Sequence, residues 1–281
     1  MGGKITILGP GLLGASLGMA VRERGLFTSV QAWSRSPETR EKCRRQLWCS
    51  KVHETPEAAV ADAQLIVLCP PVQAIPPLLS QLAEHLPAET LVTDVGSTKA
   101  SICEAAAKYL PDHVRFVGSH PMAGSEKTGL EHARSDLFEG QACILTPTES
   151  SDQECVNTLE DFWSQLGMQV GKASPTEHDQ IVAAVSHLPH LLASVLSENL
   201  AGMDPAWKTF AGNGLRDTTR VAAGDPHLWR QILEDNSTAI SDALNRFTGT
   251  MDAFAHALNQ ADFDQVESSL AKGKSFRDSL G

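Results

Sequence analysis

The stretch Lys4-Ile5-Thr6-Ile7-Leu8-Gly9-Pro10-Gly11-Leu12-Leu13-Gly14 decides the fold. Its first five residues form a short β-rich run that ends in glycines, and Leu12–Arg24 then reads as a helix closed by Gly25. A G-x-G-x-x-G spacing between a strand and a helix is the context in which this motif binds a dinucleotide. Gly9 permits the tight turn, Gly11 lets the backbone approach a pyrophosphate, and Gly14 lets helix and strand pack closely. The start of the helix offers free N–H groups and a positive dipole end to the phosphates. Gly9, Gly11, Leu12, Leu13 and Gly14 are therefore the expected cofactor-binding residues.

Outward from this turn, strands alternate with helices. Ser29–Ser34, Leu65–Cys69, Thr90–Asp94, Arg115–Gly118, Ala142–Pro147 and Met168–Lys172 read as strands. Leu65–Cys69 is continuously apolar, as a parallel strand buried on both faces should be. Pro37–Gln46, Leu78–His85, Lys99–Tyr109 and Gln153–Leu166 read as helices between them. This alternation implies βαβ units and an α/β, doubly wound parallel sheet. After about Ser174 the β-rich runs stop, and Glu177–Asn199, Asp225–Ala257 and Asp262–Phe276 carry helical periodicity. Ile232, Ile240, Leu244, Phe247, Met251 and Phe254 make an apolar stripe expected to be buried. The expected organisation is a dinucleotide-binding domain over 1–172 and an all-α substrate and dimerisation domain over 173–281. Helical second domains of this kind often pair between subunits, so a homodimer is expected.

The end of the second strand chooses the cofactor. NAD binders usually place Asp or Glu there to bond the ribose hydroxyls. This chain has Ser34-Arg35-Ser36 and no acid at the tip. Arg35 and the hydroxyls of Ser34 and Ser36 would instead receive a 2′-phosphate through charge-assisted hydrogen bonds. NADP is the preferred cofactor, with NAD as the alternative.

Composition narrows the partners. The 281 residues carry a net charge of −11, with 42% hydrophobic and 20% charged residues. That charge disfavours nucleic acid and anionic membranes, and an anionic small-molecule substrate would need a local cluster of Lys or Arg. No apolar run approaches the roughly 20 residues that cross a bilayer. The six cysteines are scattered, without a C-x-x-C pair, which argues against a structural zinc site and for free thiols in the cytoplasm.

Three further segments do not follow from the fold. They are Asp94-Val95-Gly96-Ser97-Thr98-Lys99, the block from Gly118-Ser119-His120-Pro121-Met122-Ala123-Gly124-Ser125-Glu126-Lys127 to Gly129, and Glu177-His178-Asp179 followed by Ser186-His187-Leu188-Pro189-His190. Gly212–Arg220 and Asp225–Arg230 complete the set. In this order, and spanning nearly the whole chain, they resemble the prephenate/arogenate dehydrogenase family of tyrosine biosynthesis. The resemblance implies a Rossmann domain followed by a helical dimerisation domain. It also implies oxidative decarboxylation of prephenate to 4-hydroxyphenylpyruvate, or of arogenate to tyrosine, with hydride leaving C4 of the ring.

By the same resemblance His120 is the catalytic histidine. A neutral imidazole can accept the proton of the C4 hydroxyl near pH 7. Ser97 matches a serine near that hydroxyl and the nicotinamide, although Ser also favours the cap of the helix beginning near Lys99. Arg220 matches the arginine that holds a substrate carboxylate, with Arg216 as its alternate four residues away. His178 and His190 are implied to face the substrate, and His190 tilts the reading toward prephenate. Lys127 is a weaker substrate-binding candidate. Glu177 and Asp179 could cap the helix start or face an ammonium group. Histidines without a carboxylate at zincin spacing do not make a metal site. Two rivals remain: a β-hydroxyacid dehydrogenase of the 6-phosphogluconate type, and a noncatalytic NADP-sensing module. The first would need a lysine on the helix over Glu177–Asn199, which has none. The second would not need His120, Ser97 and Arg220 together.

Overall fold

A computed structural model describes residues 2–124, 127 and 129–281. In chain order the first half comprises β1 (Lys4–Leu8), α1 (Leu12–Glu23), β2 (Ser29–Trp33), α2 (Pro37–Arg44), β3 (Lys51–Val52), α3 (Pro56–Val60), β4 (Leu65–Leu68), α4 (Ile75–Leu82), β5 (Leu91–Asp94), α5 (Ala100–Tyr109), β6 (Arg115–Phe116), β7 (Gly118–Pro121), β8 (Ala142–Thr146), α6 (Gln153–Gln165) and β9 (Gln169–Lys172). Six strands form one parallel sheet in the order β3-β2-β1-β4-β5-β6. The order reverses between β1 and β4, and ligands of such sheets bind beyond the carboxyl ends of the strands at that point.

Period-two alternation explains the all-apolar strands. Ile5, Ile7, Val30, Ala32, Leu65 and Val67 pack into a core on one face, while Leu8, Ile66, Leu68 and Val92 pack into a second core on the other.

Two parts of the strand reading need correction. The last strands do not extend the parallel sheet: β7, β8 and β9 make a separate three-stranded sheet, with β7 and β8 antiparallel and His120 opposite Ile144. His120 thus lies in a strand and not in the loop its Gly- and Pro-rich neighbourhood suggested. The segment between α2 and β4 also contains β3 and α3, too short to register as periodic runs.

The second half is helical: α7 (Pro175–Val182), a π-helical turn at Ala183–His187, α8 (Leu188–Ala201), α9 (Asn213–Thr219), α10 (Pro226–Asp235), α11 (Ser237–Asn259) and α12 (Phe263–Ser279). Ser174 and Glu177 form a reciprocal capping box at the start of α7, satisfying two backbone donors there. Pro189 accounts for the π turn. It has no N–H to give the Val185 carbonyl, and its ring would press against that group. The chain widens instead, and the Leu188 N–H bonds the Ala183 carbonyl five residues back.

By length and mean hydropathy, 1.3 over its best 18 residues, the 27-residue run Pro175–Ala201 could also cross a membrane. Its His178, Asp179, Val182, Ala183 and His187 are buried, but only 28% of the most apolar stretch is, and Val185 and Val195 are exposed.

The single run expected over Asp225–Ala257 is broken at Asn236, between α10 and α11. The apolar stripe is only partly buried. Ile232 and Ile240 are, but Met251 is 50% exposed, because α11 runs past the protomer's own small core of Ala183, Ile240 and Ala243.

Candidate active site

The dinucleotide turn has the geometry its glycines imply. Gly9 has φ of +88° and donates its N–H to the Trp33 carbonyl at 2.9 Å. A Cβ there would sit 2.8 Å from the Pro70 nitrogen. Gly11 precedes the first helical residue, and a Cβ on it would have nothing within 4 Å. The backbone at the N-terminus of α1 is therefore open to a phosphate group. A Cβ at Gly14 would lie 2.9 Å from the Gly9 carbonyl oxygen, which is the close helix–strand approach. Leu12 and Leu13 begin α1. These residues fit a dinucleotide.

At the tip of β2, Ser34 Oγ accepts from the Ser36 N–H at 3.3 Å, and Ser36 Oγ caps α2 through the Thr39 N–H. Arg35 is exposed. Sequence reading missed Arg40, which reaches back under this loop to donate to the Ser34 carbonyl at 2.8 Å and the Arg35 carbonyl at 3.3 Å. Glu54 accepts from both Arg40 and Arg44 and partly offsets their charge. Spacing along α2 gave no hint that Arg40 folds back toward the strand.

The loop after β5 carries Ser97. It is pinned from inside by the fully buried Asp94, which pairs with Lys99, accepts from the Gly96 N–H at 2.7 Å and reaches the Ser119 N–H in β7. Ser97 does not cap α5, since the helix begins at Ala100. The cap comes from the helical half instead: the Asp179 carboxylate accepts from the Lys99 N–H at 2.8 Å and the Ala100 N–H at 3.0 Å. The Ser97 hydroxyl makes no hydrogen bond among the described residues.

His120 Nδ1 lies 2.9 Å from His178 Nε2, and His178 Nδ1 lies 2.8 Å from Asp179 Oδ1. His178, expected to face the substrate, is fully buried between these two partners. Asp179 caps α5 and not its own helix. Burial, reinforced by His178, Lys99 and His187, pushes the His120 imidazole well below the usual histidine range, so it is uncharged at neutral pH. Burial also lowers His178, against the opposing pull of Asp179. Burial tends to raise the Asp179 carboxyl, but the bonds from His178, Ala100 and Lys99 prevail and leave it below the ordinary value.

Beside this chain, Asn236 Nδ2 donates to the Asp179 main-chain carbonyl at 2.8 Å and to His187 Nδ1 at 3.2 Å. Asp235 accepts from Thr98 and from Ser101. Thus α10 and the start of α7 both grip the N-terminus of α5. His190 stacks on Trp229 with ring centroids 3.4 Å apart and planes 9° from parallel. A Cβ at Gly224 would lie 2.6 Å from the indole nitrogen of that stack. The His190 Nδ1 and His187 Nε2 are buried without partners among the described residues.

Arg216 is an exposed residue in the last turn of α9, and Arg220 follows at its C-cap, opening a short 3-10 turn. Lys127 is exposed. Glu126, which borders it in the motif, lies outside the described residues. No cluster of three or more His, Cys, Asp or Glu suited to a metal occurs among the described residues.

A dinucleotide turn at the sheet's reversal point, together with an uncharged buried imidazole on β7, a strand that Asp94 ties to the end of β5, is the plan of a nicotinamide-nucleotide oxidoreductase. Comparison with known proteins gives the particular kind. Residues 17–172 match the prephenate dehydrogenase nucleotide-binding domain, and residues 174–272 match the prephenate dehydrogenase dimerization domain. Cyclohexadienyl dehydrogenase of Zymomonas mobilis is 30% identical over 266 residues, covering 93% of this chain and 90% of that protein. Prephenate dehydrogenase of Bacillus subtilis is 32% identical over 286 residues, covering 98% of this chain and 76% of that protein. The crystal structure of prephenate dehydrogenase from A. aeolicus, in complex with hydroxyphenyl propionate and NAD+, superposes with a TM-score of 0.91 at 27% identity, covering 99% of this chain and 98% of that one. The chain belongs to the prephenate dehydrogenase family.

Proposed function

We propose that this enzyme oxidatively decarboxylates prephenate to 4-hydroxyphenylpyruvate, with arogenate as the second substrate to be compared. The observation that carries the reading is His120. It is an imidazole held uncharged by burial, on a strand that Asp94 ties to the end of β5, and its Nε2 makes no hydrogen bond among the described residues.

In this reading the C4 hydroxyl of the ring donates its hydrogen bond to His120 Nε2, and Ser97 orients that hydroxyl. The bound nicotinamide supplies the acceptor for the hydride that leaves C4. As the C4–H bond breaks, the hydroxyl proton moves to His120. Cleavage of the ring–carboxylate bond releases CO2, and its electron pair makes the ring aromatic. The proton then returns from His120 to the phenolic oxygen, so none is gained or lost.

Arg220, with Arg216 as alternate, holds a substrate carboxylate through its planar fork. His190, braced on Trp229, is assigned to the side chain of the substrate. Lys127 adds positive charge nearby. We assign NADP as the preferred cofactor, because Arg35, the hydroxyls of Ser34 and Ser36, the N-terminus of α2 and the underlying Arg40 gather at the tip of β2, whose own residues include no acid and where Glu54 offsets only part of the positive charge.

The working unit in this proposal is a homodimer of cytoplasmic chains, each divided at 172/173. The dimerization-domain match and the exposed apolar residues of the helical half support the pairing, and the six unpaired thiols fit a reducing compartment.

Initial rates with prephenate and arogenate, each with NADP and NAD, test the proposal. Prephenate with NADP should give the highest kcat/KM. Arg35→Ala should lower kcat/KM for NADP more than for NAD by about tenfold or more, the loss of a charge-assisted hydrogen bond of about 1.5–3 kcal/mol. Equal losses with both cofactors would remove the NADP assignment. Absence of turnover with either substrate would overturn the reaction itself.

A further inference from the structure

His120 belongs to the α/β half, but its Nδ1 is held by the helical half. We infer that His178 and Asp179 are positioning residues for the reaction: through one line of hydrogen bonds they fix His120 in the tautomer whose Nε2 is a bare acceptor, so the base is complete only when the two halves are docked. This rests on the reading of His120 as the base.

The tautomers follow from donor and acceptor counting. An ionised carboxylate only accepts, so His178 Nδ1, 2.8 Å from Asp179 Oδ1, must carry hydrogen. The His178 ring is neutral, which leaves its Nε2 bare. A bare Nε2 at 2.9 Å requires hydrogen on His120 Nδ1, and a neutral His120 then has no hydrogen on Nε2. Which ring nitrogen is protonated is set by the bond the other one makes. Without His178 the imidazole would be free to place its hydrogen on Nε2, where it could not accept from a substrate hydroxyl.

The line is rigid. Asp179 is held by the Lys99 and Ala100 N–H groups, and Asn236 clamps the Asp179 main chain. The same contact sets the start of α5 at Ala100, at the end of the short loop that carries Ser97, so base and neighbouring hydroxyl share one anchor. When His120 takes the hydroxyl proton, the proton stays on Nε2. The nearby carboxylate charge stabilises the imidazolium through His178, without a second transfer.

The test compares wild type, His178→Gln and His178→Phe, with His120→Asn as reference. A Gln carbonyl can still accept from His120 Nδ1–H, whereas Phe cannot. In the wild type at pH 7.5, nitrogen-15 NMR should show His120 protonated at Nδ1 and bare at Nε2. The Gln variant should keep that signature and a kcat within about tenfold of wild type. The Phe variant should lose the signature, and its kcat should fall by about 10²–10⁴, the usual range for positioned acid–base catalysis, with KM for prephenate changed less than about threefold.

Hydrogen on His120 Nε2 in the wild type would overturn the inference with no variant needed, so it stays open to refutation even if the Phe variant fails to fold. It would also be overturned if the Phe variant kept full kcat, or lost kcat with the His120 nitrogens unchanged. Undiminished turnover in His120→Asn would sink the base assignment itself. A dead His120→Asn beside a fully active His178→Phe would sink only the positioning role.

Discussion

The two halves of the chain handle their apolar residues in opposite ways. The α/β half encloses its strands between two large cores, and its few exposed apolar side chains include Leu47 and Tyr109. The helical half has only Ala183, Ile240 and Ala243 as its buried cluster, while Phe210, Phe263, Leu270 and Phe276 lie in the open at 84%, 64%, 61% and 67% exposure. Exposed apolar area on this scale marks an interaction surface. The first half is finished within one chain, and the second needs a partner to cover it. His120, His178 and Asp179 meet on the seam between them.

The largest expected effect breaks the finished half from inside. Lys99→Met leaves Asp94 as a fully buried, uncompensated charge and should cost about 3–5 kcal/mol. Because this core is internal, the loss measured by urea unfolding should not depend on protein concentration. A loss below about 1 kcal/mol would mean that the Asp94–Lys99 pair is not what pins the β5 loop.

The seam should respond to acid. His187 is lowered by burial to about 4, and burial also lowers His120, His178 and His190. The unfolded chain takes up these protons near pH 6.5, where the folded protein still refuses them, so stability is full above that pH and falls as pH drops toward about 4. For His187 alone the loss across that window is roughly 3 kcal/mol. Asp179 adds its own loss only lower, as pH falls below the ordinary carboxylate value. Unfolding curves at pH 7.5, 6 and 4.5 check this; a flat profile would show that the histidines are solvated and charged.

The smallest effect on the fold of a single chain touches the unfinished half. Phe263→Asp with Leu270→Asp places two charges one heptad apart on α12. If that face is covered in a dimer, each loses about 1.5–3 kcal/mol of burial. Light scattering should then show monomers, and the melting temperature should stop rising with concentration. A dimer of unchanged affinity would send the interface to another face.

The sheet and its glycine turn were legible because their signals are local: period two in β1 and β4, and a fixed glycine spacing between strand and helix. β7 was not, since Gly118, Ser119, His120 and Pro121 become a strand only by pairing with β8, more than twenty residues later. His178 and Asp179 were visible as polar neighbours on a helix, but their partners lie far away in sequence, at His120 and at Lys99 and Ala100. Pattern reading therefore pointed His178 at a ligand and left Asp179 between a cap of its own helix and an ammonium group, when the fold points both at other residues. Asn236 had no period to announce it inside an otherwise continuous helical run.

The widened turn at Ala183–His187 sets the phase of everything beyond it. Hydrogen bonds spanning five residues absorb one residue more per turn than an α-helix does, so α8 is rotated about its axis relative to α7. That offset is what lets His178 on one side of the turn meet His120 and Asp179, while His187 and His190 on the other reach Asn236 and Trp229. Removing one residue from this turn would restore the ordinary pitch and swing His187 and His190 away from Asn236 and Trp229, undoing both contacts from a distance.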